Sequence, residues 1–193
     1  MTGSGLDHRG RLIAGAADML SRRGLNATSI RHVAAHSQAP LGSTYHYFPG
    51  GKQQLVTEAV QAAGEVVRRS LDEQLEAGPL EGLRAFLALW RDTVVSSEFR
   101  AGCPVLAVSV EEPVAGDTTA LEAAADVFRS WESLLAGSLR SHGAGPKEAR
   151  QVATLVVAAV EGTVALCRAK RSAQPLDDVT AQLEHVVVSV LRD

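Results

Sequence analysis

Apolar residues recur at three- and four-residue spacing through most of the chain, and short clusters of glycine, proline and serine separate the runs. That spacing lines one face of a helix with apolar side chains. Leu12, Ile13, Ala16, Ala17 and Leu20 form the first stripe, beginning after Asp7 and stopped by Gly24. Residues 1–6 are small and polar and are expected to lie outside it. Thr28 and Ser29 offer side-chain oxygens to the unpaired amides of a second helix, whose stripe is Ile30, Val33 and Ala34. The pattern breaks at residues 37–40, because Pro40 disfavours helix at Ala39. A third, short helix is predicted over 41–47, with Pro49-Gly50-Gly51 ending it. A long helix follows over about 52–77, carrying Leu55, Val56, Ala59, Val60, Ala63, Val66, Val67 and Leu71. Gly78-Pro79 leads into another that reaches residue 97. Residues 100–104 interrupt, a short apolar helix runs to about 112, and residues 113–117 form a loop. Three more helices are predicted over 118–142, 147–171 and 176–192. No segment alternates cleanly at period two, so the expected fold class is all-α with about nine helices.

Residues 28–52 stand out within this pattern. Two short helices joined by a tight turn, the second dense in hydrogen-bonding side chains, is the layout of a helix-turn-helix. Several further features agree in order and spacing: an opening helix ending in Arg23-Gly24, then Thr28-Ser29, then Ser43-Thr44-Tyr45-His46-Tyr47-Phe48, then Lys52 at the next helix start. Together they resemble the DNA-binding domain of the TetR family of transcriptional repressors. Phe48-Pro49-Gly50-Gly51-Lys52 and Gly102-Cys103-Pro104 resemble the LmrA/YxaF-like branch of that family. One departure is local. The family often has Ala-Gly in the turn, where this chain has Ser37-Gln38, and a left-handed Gln costs roughly 1 kcal/mol or more.

The resemblance implies a DNA-contacting set of Thr28, Ser29, Arg31, Leu41, Gly42, Ser43, Thr44, Tyr45, His46, Tyr47 and Lys52. Tyr45 and Tyr47 match phosphate-contacting positions and His46 a groove-facing one. The residue chemistry agrees, since polar tips at consecutive positions suit phosphate oxygens and base edges. Arg31 has the planar fork that grips guanine O6 and N7. The charge of Lys52 opposes the dipole at a helix start, a penalty that a nearby phosphate reverses.

Charge supports this placement once the chain is divided. Residues 1–52 carry six Lys/Arg and two acids, net +4; the remaining residues carry thirteen and twenty, net −7, summing to the −3 of the whole. Phosphate attraction depends on the local field. Hydrophobic content is 46% and charged content 21%, ordinary for a water-soluble globular chain. No uninterrupted apolar run has membrane-spanning length, and no apolar signal region precedes Leu12, so a cytoplasmic protein without a membrane partner is expected. Cys103 and Cys167 are too far apart in sequence for a metal-ligand spacing and too few for a disulfide framework. No nucleophile triad, P-loop or dinucleotide fingerprint occurs, so neither enzyme activity nor a cofactor is expected.

The expected division is a DNA-binding domain over 1–52 and an effector-binding and dimerisation domain over 53–193. Phe86, Leu87, Trp90, Val94, Phe99, Cys103, Phe128 and Trp131 are either plain core or the lining of a ligand pocket. Val152, Leu155, Val156, Ala159, Val160, Thr163, Leu183, Val186, Val187 and Val190 make the last two helices apolar enough to need cover. A symmetry mate would supply it as a four-helix dimer interface; an intramolecular hairpin is the other possibility. The function expected is a homodimeric regulator, a repressor released from a palindromic double-stranded DNA operator by a small hydrophobic effector. The alternatives are an all-α small-molecule-binding module without DNA binding and a thiol sensor acting through Cys103.

Overall fold

A computed structural model of the chain describes residues 3–113 and 116–191. Among the described residues there are nine helices and no strand. They are α1 (Gly3–Arg23), α2 (Ile30–His36), α3 (Leu41–Tyr47), α4 (Gly51–Leu75), α5 (Pro79–Ser96), α6 (Pro104–Ser109), α7 (Thr119–Ser141), α8 (Pro146–Lys170) and α9 (Gln174–Val190). Displacements from the sequence reading occur at α6, which ends at Ser109 rather than near 112, and at the start. Residues 3–6 belong to α1 rather than preceding it. Extending an existing helix adds one bond per residue fixed, so weak formers can join at its end. Residues 1 and 2 lie outside the described residues.

The described residues divide into two compact units. One takes in those up to Glu65 and those between Cys103 and Val127; the other takes in Val66–Gly102 and those from Phe128 onward. In the first unit, α1 packs against α2, α3 and α6. Leu12, Ala16, Leu20, Val33, Phe48, Val56 and Val60 have no exposed surface, so most of the predicted stripes of α1, α2 and α4 face inward; Val66 of the α4 stripe does not and is 57% exposed. Full burial of such Leu, Val and Phe side chains stabilises by roughly 1.5–3 kcal/mol each. Arg9 ties the corner: its guanidinium lies 5.2 Å from the Phe48 ring centre and is paired with Glu58 of α4.

In the second unit, α8 packs against α5 and α9, and α5 against α9. Leu83, Val94, Trp131, Val160 and Cys167 are fully enclosed. α8 is long and apolar enough, by length and average hydropathy, to cross a membrane, although no uninterrupted run was found in the sequence. Half of its most apolar stretch is buried inside the structure, and Glu161 is buried in its middle, so internal packing accounts for its composition. The Gly102-Cys103-Pro104 motif has a local reason. A Cβ on Gly102 would lie 3.1 Å from Arg168 Nη1 and 3.4 Å from Val164 of α8, while Arg168 Nη2 donates to the Arg100 carbonyl at 3.2 Å. Cys103 then caps α6, its Sγ accepting from Leu106 N at 3.4 Å, and Pro104 occupies the first turn, where a missing N–H costs nothing.

Candidate nucleic-acid interface

The approach to α2 is built from local hydrogen bonds. Gly24, with φ +82°, ends α1 in the left-handed region. Thr28 is buried; its Oγ1 donates to the Gly24 carbonyl at 2.7 Å and its N–H to the Leu25 carbonyl at 3.1 Å. Ser29 is the cap, its Oγ accepting from His32 N at 3.2 Å. Of the two hydroxyls offered by the sequence, one therefore fastens the loop and the other satisfies the helix. Arg31 follows on the exposed side of α2.

Between α2 and α3, Ala39 N bonds the Ala34 carbonyl at 2.9 Å and Gln38 N the Ala35 carbonyl at 3.2 Å. This nested pair is a Schellman turn, whose penultimate residue is normally glycine. Here that residue is Gln38, at φ +52°. The turn keeps its geometry, and Gln38 bears a strain on the order of 1 kcal/mol.

On α3, Thr44 is buried and donates to the Pro40 carbonyl at 3.4 Å. Leu41, Gly42, Tyr45 and His46 are exposed; Ser43 and Tyr47 are half-buried. Tyr45 retains 57% of its surface, which decides that its ring is not a core element. His46 and Tyr47 meet edge to face at 5.5 Å. Ser29, Arg31, Leu41, Gly42, Ser43, Tyr45, His46 and Tyr47 thus all keep solvent-facing surface, whereas Thr28 and Thr44 are used internally. Lys52, at the start of α4, has a partner within the chain. Its Nζ donates to the Leu25 carbonyl at 2.7 Å, and partial burial lowers its pKa, an effect opposed by the nearby Glu111 carboxylate.

The predicted pocket residues are distributed unevenly. Phe86, Trp90, Phe128 and Trp131 do come together in the second unit: Phe86 lies 6.3 Å from Trp90 and 5.9 Å from Trp131, Trp90 lies 6.2 Å from Trp131, and Phe128 lies 5.6 Å from Trp131. All four contacts are edge to face, the geometry favoured by the ring quadrupoles. Trp90 is 3% exposed and its Nε1 is buried without a hydrogen-bond partner among the described residues. Leu87 and Val94 are buried on the same helix, and Leu87 also floors a cleft of about 270 Å³ beside Arg84, Arg91 and Asp177. Phe99 is half-buried with φ +61° just after α5, and Cys103 belongs to the first unit. Both cysteines are buried, and burial pushes the Cys167 thiol above its usual range.

The predicted interface residues divide as well. Val152, Val156, Val160, Thr163, Leu183 and Val187 are buried within the chain itself. Leu155 remains 46% exposed and Ala159, Val186 and Val190 are half-exposed. Leu166 on α8, which belongs to the same apolar run in the sequence, and Val188 on α9, which the sequence reading passed over, are 48% and 54% exposed. The signal for Val188 was available, since it continues the apolar run Val186-Val187.

Residues 12–59 match the family described as bacterial regulatory proteins, tetR family, and residues 79–182 match the LmrA/YxaF-like transcriptional regulator C-terminal domain. The chain is 41% identical over 190 residues to an uncharacterised HTH-type transcriptional regulator of Mycobacterium tuberculosis, covering 95% of each. It is 30% identical over 172 residues to the HTH-type transcriptional regulator LmrA of Bacillus subtilis, covering 88% of this chain and 91% of that one. Its fold matches the crystal structure of a TetR regulatory protein from Rhodobacter sphaeroides with a TM-score of 0.83 at 21% identity, covering 93% of this chain and 98% of that one. These are DNA-binding transcriptional regulators rather than enzymes. The helix-turn-helix at residues 30–47 and the two matched segments therefore place this chain in the TetR family, within its LmrA/YxaF-like group.

Proposed function

We propose that the protein is a homodimeric repressor that leaves a palindromic operator when a small hydrophobic effector binds its second part. Residues 1–52 read DNA, and residues 53–193 bind the effector and form the dimer. The observation that carries this reading is the exposed, polar face of α3, Gly42, Tyr45 and His46, beside Arg31 at the start of α2, within a segment of net charge +4. An α-helix fits the major groove, where base edges carry a distinguishable pattern of donors and acceptors. Arg31 and His46 read base edges; Ser29, Tyr45 and Tyr47 hold phosphates.

For the dimer, Leu155, Leu166 and Val188 supply apolar surface left uncovered by the chain's own packing on α8 and α9. Two copies of this pair form a four-helix contact related by a two-fold axis, and that axis is mirrored in a palindromic operator. For the effector, the four-ring cluster around Trp90 offers apolar area, and the buried Trp90 Nε1 offers a donor to a ligand acceptor. Apolar contact at roughly 25 cal/mol per Å² favours a hydrophobic compound over a strongly charged one. The effector releases DNA only by its differential affinity for the two head arrangements. All of this is chemistry of a cytoplasmic protein without a membrane partner.

The test is selection of duplexes from a randomised library by the wild-type protein, followed by sequencing. The expected product is an inverted repeat with half-sites about one helical turn apart or a multiple of it. Recovery of no shared sequence, with binding equal on all duplexes, would remove the specific-repressor reading.

A further inference from the structure

The loop that leads into α2 is held by a residue from far along the chain. Glu111 stands two residues after α6, and α6 packs against α1. One carboxylate oxygen accepts from Leu25 N at 2.7 Å and the other from Asn26 N at 2.8 Å. Bonds between a charged acceptor and two consecutive amides are the strong, geometrically exacting kind. Gly24 makes room for this. Its φ of +82° suits glycine, and a Cβ there would lie 2.1 Å from Glu111 Oε1. The Leu25 peptide is gripped at both ends, its N–H by Glu111 and its carbonyl by Lys52 Nζ at 2.7 Å. Three residues on, Thr28 fastens to Gly24 and Ser29 caps the helix that carries Arg31. The direction of α2 is therefore fixed by a clamp whose jaw is delivered by α6.

We propose that Glu111 is a positioning residue for DNA recognition: its carboxylate sets the entry angle of α2. This deepens the repressor reading and rests on it. A displacement of the Glu111 carboxylate cannot leave both amide bonds intact, because two bonds from one carboxylate tolerate little displacement. Breaking them frees the Leu25–Asn26 corner and lowers preference for the operator. It does not remove the basic charges that attract any DNA.

The experiment compares the full-length wild type with Glu111→Gln, Glu111→Ala and, as control, the exposed neighbour Glu112→Ala. Gln keeps the size but presents an NH2 group to an amide N–H, so one of the two bonds is lost. Amide hydrogen exchange is measured by NMR, and affinity is measured on the duplex that wild type selects and on a scrambled duplex. The expected result for both Glu111 variants is exchange at Leu25 and Asn26 at least about tenfold faster, and selected-duplex affinity lower by about tenfold or more, with scrambled-duplex affinity unchanged. Glu112→Ala changes neither. Wild-type exchange rates at both amides would overturn the proposal. So would loss of both affinities in proportion to the unfolded fraction, which marks a merely structural strut, or a selected-duplex affinity within about twofold of wild type. If Glu111→Ala does not fold, the same readings on Glu111→Gln decide. A wild type that selects no duplex brings down the repressor reading itself, and this proposal with it.

Discussion

Gln38 shows how a single residue can depart from its family without breaking the motif around it. It occupies the left-handed position of a Schellman turn, at φ +52°, where glycine is the low-energy choice. Gln38→Gly is expected to stabilise the protein by about 0.5–1 kcal/mol, the relief of strain exceeding the added chain entropy. Urea denaturation checks this, and a destabilised variant would mean that the turn is not left-handed in solution. The departure was legible in the sequence because turn chemistry is local. The partner of Lys52 within the chain was not. Its position at a helix start suggested a phosphate contact, but Nζ reaches across to Leu25, 27 positions earlier. Lys52→Ala is expected to lower affinity for the selected duplex while leaving the salt slope unchanged to within about half a unit. A slope shallower by about one unit would show that Nζ leaves Leu25 for a phosphate when DNA binds.

Among elements, the helices were nearly all readable because each carries an unbroken stripe and a proline or glycine stop. Pro79, Pro104, Pro146 and Pro175 each stand in the first turn of a helix. Which face of a helix meets which neighbour was less readable, because α8 and α9 carry apolar residues over more than one face. The buried faces are settled by α5 within the chain, leaving Leu155, Leu166 and Val188 outside. Leu166→Glu or Val188→Glu is expected to halve the mass measured by light scattering with helicity intact; an unchanged mass would place the dimer contact elsewhere. Val187→Glu is a different case, since Val187 is only 2% exposed and the substitution attacks the core. The aromatic cluster gives a parallel test. Trp90 meets two rings, Phe86 and Trp131. As it is proposed to line an effector site, Trp90→Ala is expected to cost less than about 3 kcal/mol of unfolding free energy, with affinity for the selected duplex nearly intact. A loss of about 3–5 kcal/mol, with duplex affinity falling as the protein unfolds, would mean that the ring is packed core rather than effector-site lining.

At the scale of the whole molecule, the chain separates a basic reading segment from an acidic remainder, and the formal net charge of −3 conceals the division. The sequence carried the helix-turn-helix, the charge contrast and the solvent-facing polar residues, all of which depend on neighbours within a few turns. It did not carry the Glu111 clamp on Leu25 and Asn26, because a carboxylate 85 residues away leaves no periodic trace. The central claim is that two copies of this chain read one DNA site through α2 and α3. The most direct measurement is sedimentation of the wild-type protein with the duplex it selects, over a series of salt concentrations. The account predicts about two chains per duplex and an affinity that falls steeply with salt, yet exceeds that for a scrambled duplex by about a thousandfold or more. One chain per duplex, or equal affinity for both duplexes, would contradict it.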